Sequence, residues 1–254
     1  PAILHCMRLG YEYISLKNES ILRDESSNIF IDVFLRSLER INPGVSRQEV
    51  NNSLDEISLA LENEDLGKAF YEKITKKSGL RIINFDDFNQ NTFHVVTELT
   101  YRNGDDEFRP DITLLINGMP LVFIEVKKPN NREGILAEHK RIKTRFQNKK
   151  FRNFINLTQL MIFSNNMEYD DSSPIPIEGA FYAASSYQKP KFNYFREEEK
   201  FDESNFKQIS EIDELRVLKD NNLVIIKNSP EFAKNKSIDT PTNCILTSLV
   251  KRER

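Results

Sequence analysis

The feature that most constrains the fold is a pair of strongly apolar segments joined by Asn117-Gly118. Residues 111–116 and 121–126 are rich in Ile, Leu, Val and Phe, and each is of strand length. An Asn-Gly pair between two such runs is the strongest short-range signal of a β-hairpin, because both turn residues tolerate positive φ angles. We therefore predict that these two segments form adjacent antiparallel strands that are buried in the core.

Charged residues stand at the open end of this predicted hairpin. Asp111 begins the first strand, and Glu125 and Lys127 lie at the end of the second. Side chains two residues apart on a strand point the same way, so Glu125 and Lys127 project together while Val126 faces the core. The tight turn folds the second strand back and brings Asp111 alongside them. Charged groups at the ends of buried strands are costly unless they are paired or bind a metal.

These residue types suit phosphodiester hydrolysis with a hard cation. The carboxylates of Asp111 and Glu125 and the main-chain carbonyl of Val126 offer the oxygen ligands that Mg²⁺ prefers, and Mn²⁺ could substitute. The cation would polarise a phosphodiester and acidify a bound water, and Lys127 would orient that water or stabilise developing charge. The alternative is a surface hairpin whose charges are merely solvated, because Asp-hairpin-Glu-x-Lys is a short pattern that many chains contain by chance.

The rest of the chain predicts an α/β fold with three regions. Residues 1–75 are expected to be mostly helical, with a helix over 28–41 and another headed by a capping box of Ser46 and Glu49. Residues 76–190 are expected to form the core, a mixed, partly antiparallel central sheet flanked by helices. Residues 191–254 are expected to form a C-terminal extension. The remaining strands are predicted at 80–85, 92–101, 157–163 and 180–184, and a further helix at 131–146.

The segment 108–129 carries a longer pattern than the three charged residues alone. It reads Phe-Arg-Pro-Asp-Ile-Thr-Leu-Leu-Ile-Asn-Gly-Met-Pro-Leu-Val-Phe-Ile-Glu-Val-Lys-Lys-Pro. It resembles the N-terminal nuclease region of the type I restriction endonuclease motor (R) subunit. The resemblance also takes in 10–13, 66–70 and 158–165, and so covers most of the chain.

This resemblance implies a restriction-endonuclease-like, PD-(D/E)xK fold and Mg²⁺-dependent cleavage of double-stranded foreign DNA. It implies that Asp111 and Glu125 are metal ligands and that Lys127 is the catalytic lysine. The implied partners are DNA, motor domains of the same polypeptide, and the methylation and specificity subunits of a restriction complex. Two other functions for the same fold stay open: a catalytically inactive docking module, and a DNA repair or transposon nuclease.

The sequence departs from that family in two places and lacks its motor motifs. Many relatives carry Gln-x-x-x-Tyr on the helix after the lysine, but residues 138–146 contain neither residue, which leaves a fourth active-site element unassigned. No Glu precedes Glu12, so the Glu that assists metal binding from the first helix in many nucleases of this fold is not found here. The chain contains no phosphate-binding Gly-x-x-x-x-Gly-Lys-Ser/Thr loop, so we expect ATP to bind only in a motor region outside it.

A basic segment follows the predicted hairpin. Residues 139–152 contain seven Lys or Arg and no acid, although the whole chain carries a net charge of −3. We expect Lys140, Arg141 and Arg145 to contact DNA phosphates, the alternative being a solvated helix face. Glu98 is expected to be an exposed strand residue, the alternative being an additional carboxylate in the site.

Two cysteines and three histidines, all widely spaced, predict neither disulfides nor a zinc site. No apolar run is long enough to span a membrane and no signal peptide is evident, so a cytoplasmic protein is expected.

Overall fold

The computed structural model describes residues 1–17, 21–129, 134–169, 178–184, 191–195, 201–202, 204 and 206–252. Its strands are β1 (Glu12–Ile14), β2 (Phe93–Thr97), β3 (Tyr101–Asn103), β4 (Asp106–Phe108), β5 (Ile112–Ile116), β6 (Met119–Val126), β7 (Leu160–Ser164), β8 (Ala180–Ala183) and β9 (Asn193–Tyr194). Its helices are α1 (Ala2–Arg8), α2 (Ile31–Ile41), α3 (Arg47–Leu61), α4 (Lys68–Ile74), α5 (Gly134–Gln147), α6 (Arg152–Leu157), α7 (Glu211–Asp220), α8 (Pro230–Asn235) and α9 (Pro241–Val250).

Within the described residues, a mixed sheet of seven strands in the order β1-β2-β5-β6-β7-β8-β9 forms the centre of the fold. The β1–β2 and β6–β7 pairs are parallel, and the other neighbours are antiparallel. Strands β3 and β4 form a separate two-stranded sheet. The predicted mixed α/β architecture is therefore confirmed.

The central hairpin forms as its sequence predicts. Strands β5 and β6 pair antiparallel across Asn117 and Gly118, whose φ angles are 50° and 79°. The second strand begins at Met119, two residues earlier than the apolar run indicates. Both strands are buried along almost their whole length, so the hairpin provides a rigid base for the charged residues at its open end.

The strand predicted at 80–85 does not form. Ile82 and Ile83 are both buried, a pattern that alternation along a half-buried strand would not give. Side-chain amides replace the hydrogen bonds of a partner strand: Asn42 accepts from the backbone N–H of Arg81, and Asn117 donates to the carbonyl of Ile82. These distant amides hold the segment as an irregular turn that is tied to the hairpin.

Two other strand predictions were too long, and one helix was placed correctly. The segment 92–101 divides because Glu98 has a φ of 55°, which ends β2 and directs the chain into β3. The segment 157–163 contains the last residue of α6 before β7 begins at Leu160. Helix α5 covers the helix predicted at 131–146, of which 131–133 lie outside the described residues.

The helices pack against both faces of the sheet. One large apolar cluster joins α1, α2 and α3 to the central strands through residues such as Phe34, Leu38 and Leu114, and it includes Leu246 of α9. A second, aromatic cluster joins α5 and α6 to the opposite face through Phe123, among others. The capping box predicted at Ser46 is present at the start of α3. Among the described residues, no helix is long and apolar enough to cross a membrane.

Candidate functional site

Asp111, Glu125 and Lys127 lie together at the open end of the central hairpin. The Lys127 Nζ atom lies 3.1 Å from a carboxylate oxygen of Glu125 and 4.0 Å from Asp111 Oδ2. Asp111 Oδ2 also accepts a hydrogen bond of 2.8 Å from the backbone N–H of Val126. This bond fixes the Asp111 side chain against the end of β6, so the backbone itself sets the distance between the two strand ends.

The two carboxyl groups occupy different environments. Glu125 is only 4% exposed, whereas the Asp111 side chain is 44% exposed. Burial, together with the nearby charges of Asp111 and Glu138, raises the pKa of Glu125 to about 8. A buried carboxyl with this pKa takes up a proton at neutral pH unless a cation compensates its charge. A metal cation bound at this position would therefore have to displace that proton.

The surroundings of Lys127 favour its charged form, whereas those of Glu125 favour its neutral form. Burial alone would lower the pKa of Lys127, but the surrounding carboxylates of Glu125, Asp111 and Glu138 outweigh burial and raise it. Lys127 therefore remains charged through the physiological range and can donate hydrogen bonds to an anionic oxygen. Its side chain is 20% exposed, so the ammonium group is accessible from solvent.

A third carboxylate, which the sequence analysis did not assign, completes the cluster. Glu138 of α5 is 2% exposed, and its Oε2 atom lies 3.5 Å from Lys127 Nζ. It is the single acid in the segment 134–152. Ile142, one turn further along α5, is fully buried, so the two residues share the inward face of the helix. That spacing is the signal that could have identified Glu138.

The three cations predicted to contact DNA have different surroundings. Lys140 and Arg141 are exposed on α5. Arg145 is more enclosed: its guanidinium lies 4.4 Å from the centre of the Phe108 ring and 3.3 Å from Glu138. Burial lowers the pKa of Arg145, and the Glu138 charge offsets part of that effect. Arg145 therefore lies at the inner edge of the charged cluster and Arg141 on its outer surface. Lys140, two residues after Glu138, is exposed on a different face of the helix.

Three other cations of the basic segment form ion pairs at the surface. Lys149 and Arg152 both contact Glu64, and Lys150 contacts Asp106. Glu98 is also exposed and lies 3.6 Å from Arg109 at the edge of the site. Its backbone N–H donates to the carbonyl of Asp111, so Glu98 supports that residue through the main chain.

The donor set fits a hard cation that keeps part of its water shell. Asp111 and Glu125 offer carboxylate oxygens at one strand end, and the carbonyl of Val126 lies between Glu125 and Lys127 in the chain. Within the described part of the chain, no group of three or more His, Cys, Asp or Glu side chains is arranged to hold a metal by itself. Such an incomplete protein shell is typical of Mg²⁺ sites, where water and substrate phosphates supply the other ligands.

The chain is similar to known restriction proteins over most of its length. The family model described as type I restriction enzyme R protein N terminus matches residues 1–170. A Methanocaldococcus jannaschii protein named as the MjaIXP type I restriction enzyme endonuclease subunit is 26% identical over 200 residues, which are 68% of this chain and 18% of the relative.

A second protein of that organism, named as the MjaVIIP endonuclease subunit, is 38% identical over 55 residues, or 22% of this chain and 5% of the relative. The chain thus spans a small part of the length of these relatives. The mixed seven-stranded sheet flanked by helices agrees with a restriction-endonuclease-like fold. The chain belongs to the family of type I restriction enzyme R protein N-terminal regions.

Proposed function

We propose that this chain is the nuclease domain of a type I restriction enzyme and hydrolyses phosphodiester bonds of double-stranded DNA with Mg²⁺. The observation that carries the proposal is the convergence of Asp111, Glu125 and Lys127 at the open end of a buried hairpin. A buried carboxyl group beside a largely buried ammonium group is expensive to maintain, and phosphodiester hydrolysis would give both groups a function.

Asp111, Glu125 and the main-chain carbonyl of Val126 are the groups that would hold the cation. A bound Mg²⁺ would polarise the scissile phosphate and lower the pKa of an attacking water. The Val126 N–H keeps the Asp111 carboxylate oriented toward β6 before any ligand arrives. Such preorganisation lowers the cost of assembling the site around substrate.

Lys127 is the group of this chain that acts on the substrate. Its ammonium group is charged and partly accessible, and it lies within 4.0 Å of the carboxylates of Asp111 and Glu125. It can donate to a non-bridging phosphate oxygen and stabilise the negative charge that develops there. Lys140, Arg141 and Arg145 extend the positive surface along α5, where they would contact neighbouring phosphates of the DNA backbone.

The relatives are several times longer than this chain, and from this we infer the other partners. Motor domains of the same polypeptide would bind ATP and move the DNA, and methylation and specificity subunits would complete the restriction complex. Because DNA is the substrate, we place the protein in the cytoplasm. A catalytically inactive docking module is the alternative function, but it would leave the buried Glu125 carboxyl group and the Lys127 ammonium group without a function.

Calorimetric titration with Mn²⁺ tests the cation site. Substitution of Asp111 by Asn or of Glu125 by Gln should each weaken binding by at least tenfold, because each removes a charged oxygen ligand. Glu98→Gln is the matched control, since it changes an exposed carboxylate at the edge of the site. Equal Mn²⁺ affinity in all variants would contradict the proposed ligands.

A further inference from the structure

We propose that Glu138 is a positioning residue that holds the Lys127 ammonium group and joins it to the basic face of α5. This inference rests on the proposed nuclease function and assigns a role to a residue that the three-residue motif does not include. The role is indirect, because Glu138 acts on the substrate through Lys127.

The two oxygens of Glu138 have separate partners. Oε2 lies 3.5 Å from Lys127 Nζ and 3.2 Å from the Arg141 guanidinium. Oε1 lies 3.3 Å from the guanidinium of Arg145. One buried carboxylate thus contacts three cations that come from two different elements, the end of β6 and the helix α5.

Glu138 is the carboxylate of the cluster that is free for this role. Asp111 and Glu125 are the proposed cation ligands, and Asp111 Oδ2 already accepts the backbone N–H of Val126. If those two carboxylates held a divalent cation, they would attract the Lys127 ammonium group less strongly. Glu138 then remains the anion that keeps the ammonium group in the site.

The packing of α5 makes Glu138 a rigid anchor. The carboxylate is 2% exposed, and Ile142 beside it on the helix is fully buried in the aromatic cluster. Arg145 lies against the Phe108 ring of that same cluster. A side chain enclosed in this way has few alternative rotamers, so it fixes its partners more firmly than an exposed ion pair would.

The arrangement connects DNA binding with catalysis. Arg141 is 64% exposed, so it can reach a phosphate while its other side contacts Glu138. A phosphate bound by Arg141 would interact with the same ion-pair network, centred on Glu138, that holds Lys127. We therefore expect substitution of Glu138 to lower the rate of cleavage more than the affinity for DNA.

Kinetics of DNA cleavage by the full-length subunit assembled with its partners tests this role. Glu138→Ala should lower kcat by about 100-fold, because a misplacement of about 1 Å at a reacting group costs that much. Glu138→Gln keeps an oxygen that accepts from Lys127, and it should retain an intermediate kcat. KM for DNA should change by less than about threefold in both variants, and Mn²⁺ affinity should match that of the unaltered protein.

Glu64→Gln is the matched control. Glu64 also contacts two cations of the same segment, Lys149 and Arg152, but it is exposed and remote from the cluster. It should leave kcat unchanged. Acetylation of Lys127, followed by peptide mass spectrometry, gives a readout besides cleavage. The reaction should be several-fold faster in Glu138→Gln than in Glu64→Gln, because the Lys127 side chain would no longer be held in the site by the buried carboxylate.

Several results would overturn the role. An unchanged kcat in Glu138→Ala would show that Lys127 does not need this anchor. A loss of Mn²⁺ affinity as large as that of Glu125→Gln would make Glu138 a cation ligand instead. Failure of both Glu138 variants to fold would make its role structural. Absence of cleavage by the unaltered enzyme would contradict the proposed function itself. Measuring the unaltered enzyme beside the variants separates that outcome from a failure of the role of Glu138.

Discussion

Replacing Glu125 by Gln should stabilise the cation-free protein at alkaline pH. Glu125 is buried beside Asp111 and Glu138, and these surroundings raise its pKa from 4.5 to about 8. Gln has nearly the same shape and no charge to desolvate. The substitution therefore removes the cost of ionising this position while it keeps the packing of β6.

The magnitude follows from the pKa difference. Below pH 4.5 the carboxyl is neutral in the folded and unfolded chains, and it contributes no cost. Between pH 4.5 and about 8 the unfolded chain releases a proton that the folded chain keeps, so stability falls as pH rises. Above that range the full cost is present, about 5 kcal/mol at most.

Urea denaturation in a chelating buffer, followed by circular dichroism between pH 4 and pH 9, measures this effect. The free energy of unfolding of Glu125→Gln should exceed that of the unaltered chain by a margin that grows with pH, toward about 5 kcal/mol. Glu98→Gln, which changes an exposed carboxylate, should show no such growth. Millimolar Mg²⁺ should narrow this margin, because the cation stabilises only the chain that binds it. A margin that is constant with pH would refute the reasoning.

Three further predictions concern the hairpin, the core and the basic helix. Gly118→Ala should destabilise the chain by more than the roughly 1–2 kcal/mol that positive φ alone costs, because the new Cβ would lie 2.7 Å from a main-chain oxygen. Gly44→Ala, at a similar φ with open space around it, should cost only the free energy of the positive φ when both variants are compared by thermal denaturation. Burial, with a smaller effect of a nearby Arg charge, lowers the pKa of His5 from 6.5 to about 3. The unfolded chain therefore binds a proton that the folded chain does not as pH falls from 6.5 toward 3, and the free energy of unfolding should decrease over that range. His5→Gln should lessen this decrease in acid titrations. Joint replacement of Arg141 and Arg145 by Ala should weaken binding equally on unrelated DNA sequences and reduce its salt slope by about one for each phosphate that is no longer neutralised; weakening on one sequence alone would contradict binding to the DNA backbone.

The hairpin could be predicted because its determinants are local. Asn117-Gly118 specifies the turn, and the apolar runs on either side specify two buried strands. The positions of Asp111, Glu125 and Lys127 relative to one another follow from that local geometry. The structure brings these three side chains together as the two-residue periodicity of strands requires.

The errors lie where distant side chains determine the backbone. The segment 80–85 has a strand-like composition, but amides of Asn42 and Asn117 take its hydrogen bonds and hold it irregular. Neither hydrogen bond can be read from local sequence. The inward position of Glu138 and the enclosure of Arg145 against Phe108 likewise depend on tertiary packing, so the local sequence does not show them.

Cleavage of plasmid DNA by the Lys127→Ala variant tests the central claim most directly. The variant is assembled as the full-length subunit with its partners, in the presence of Mg²⁺ and ATP, beside Lys128→Ala, which changes the exposed neighbouring lysine. Our account predicts that Lys127→Ala lowers the cleavage rate by at least 100-fold with ATP hydrolysis preserved, whereas Lys128→Ala cleaves normally. Cleavage by Lys127→Ala at the unaltered rate would contradict the assignment of this site.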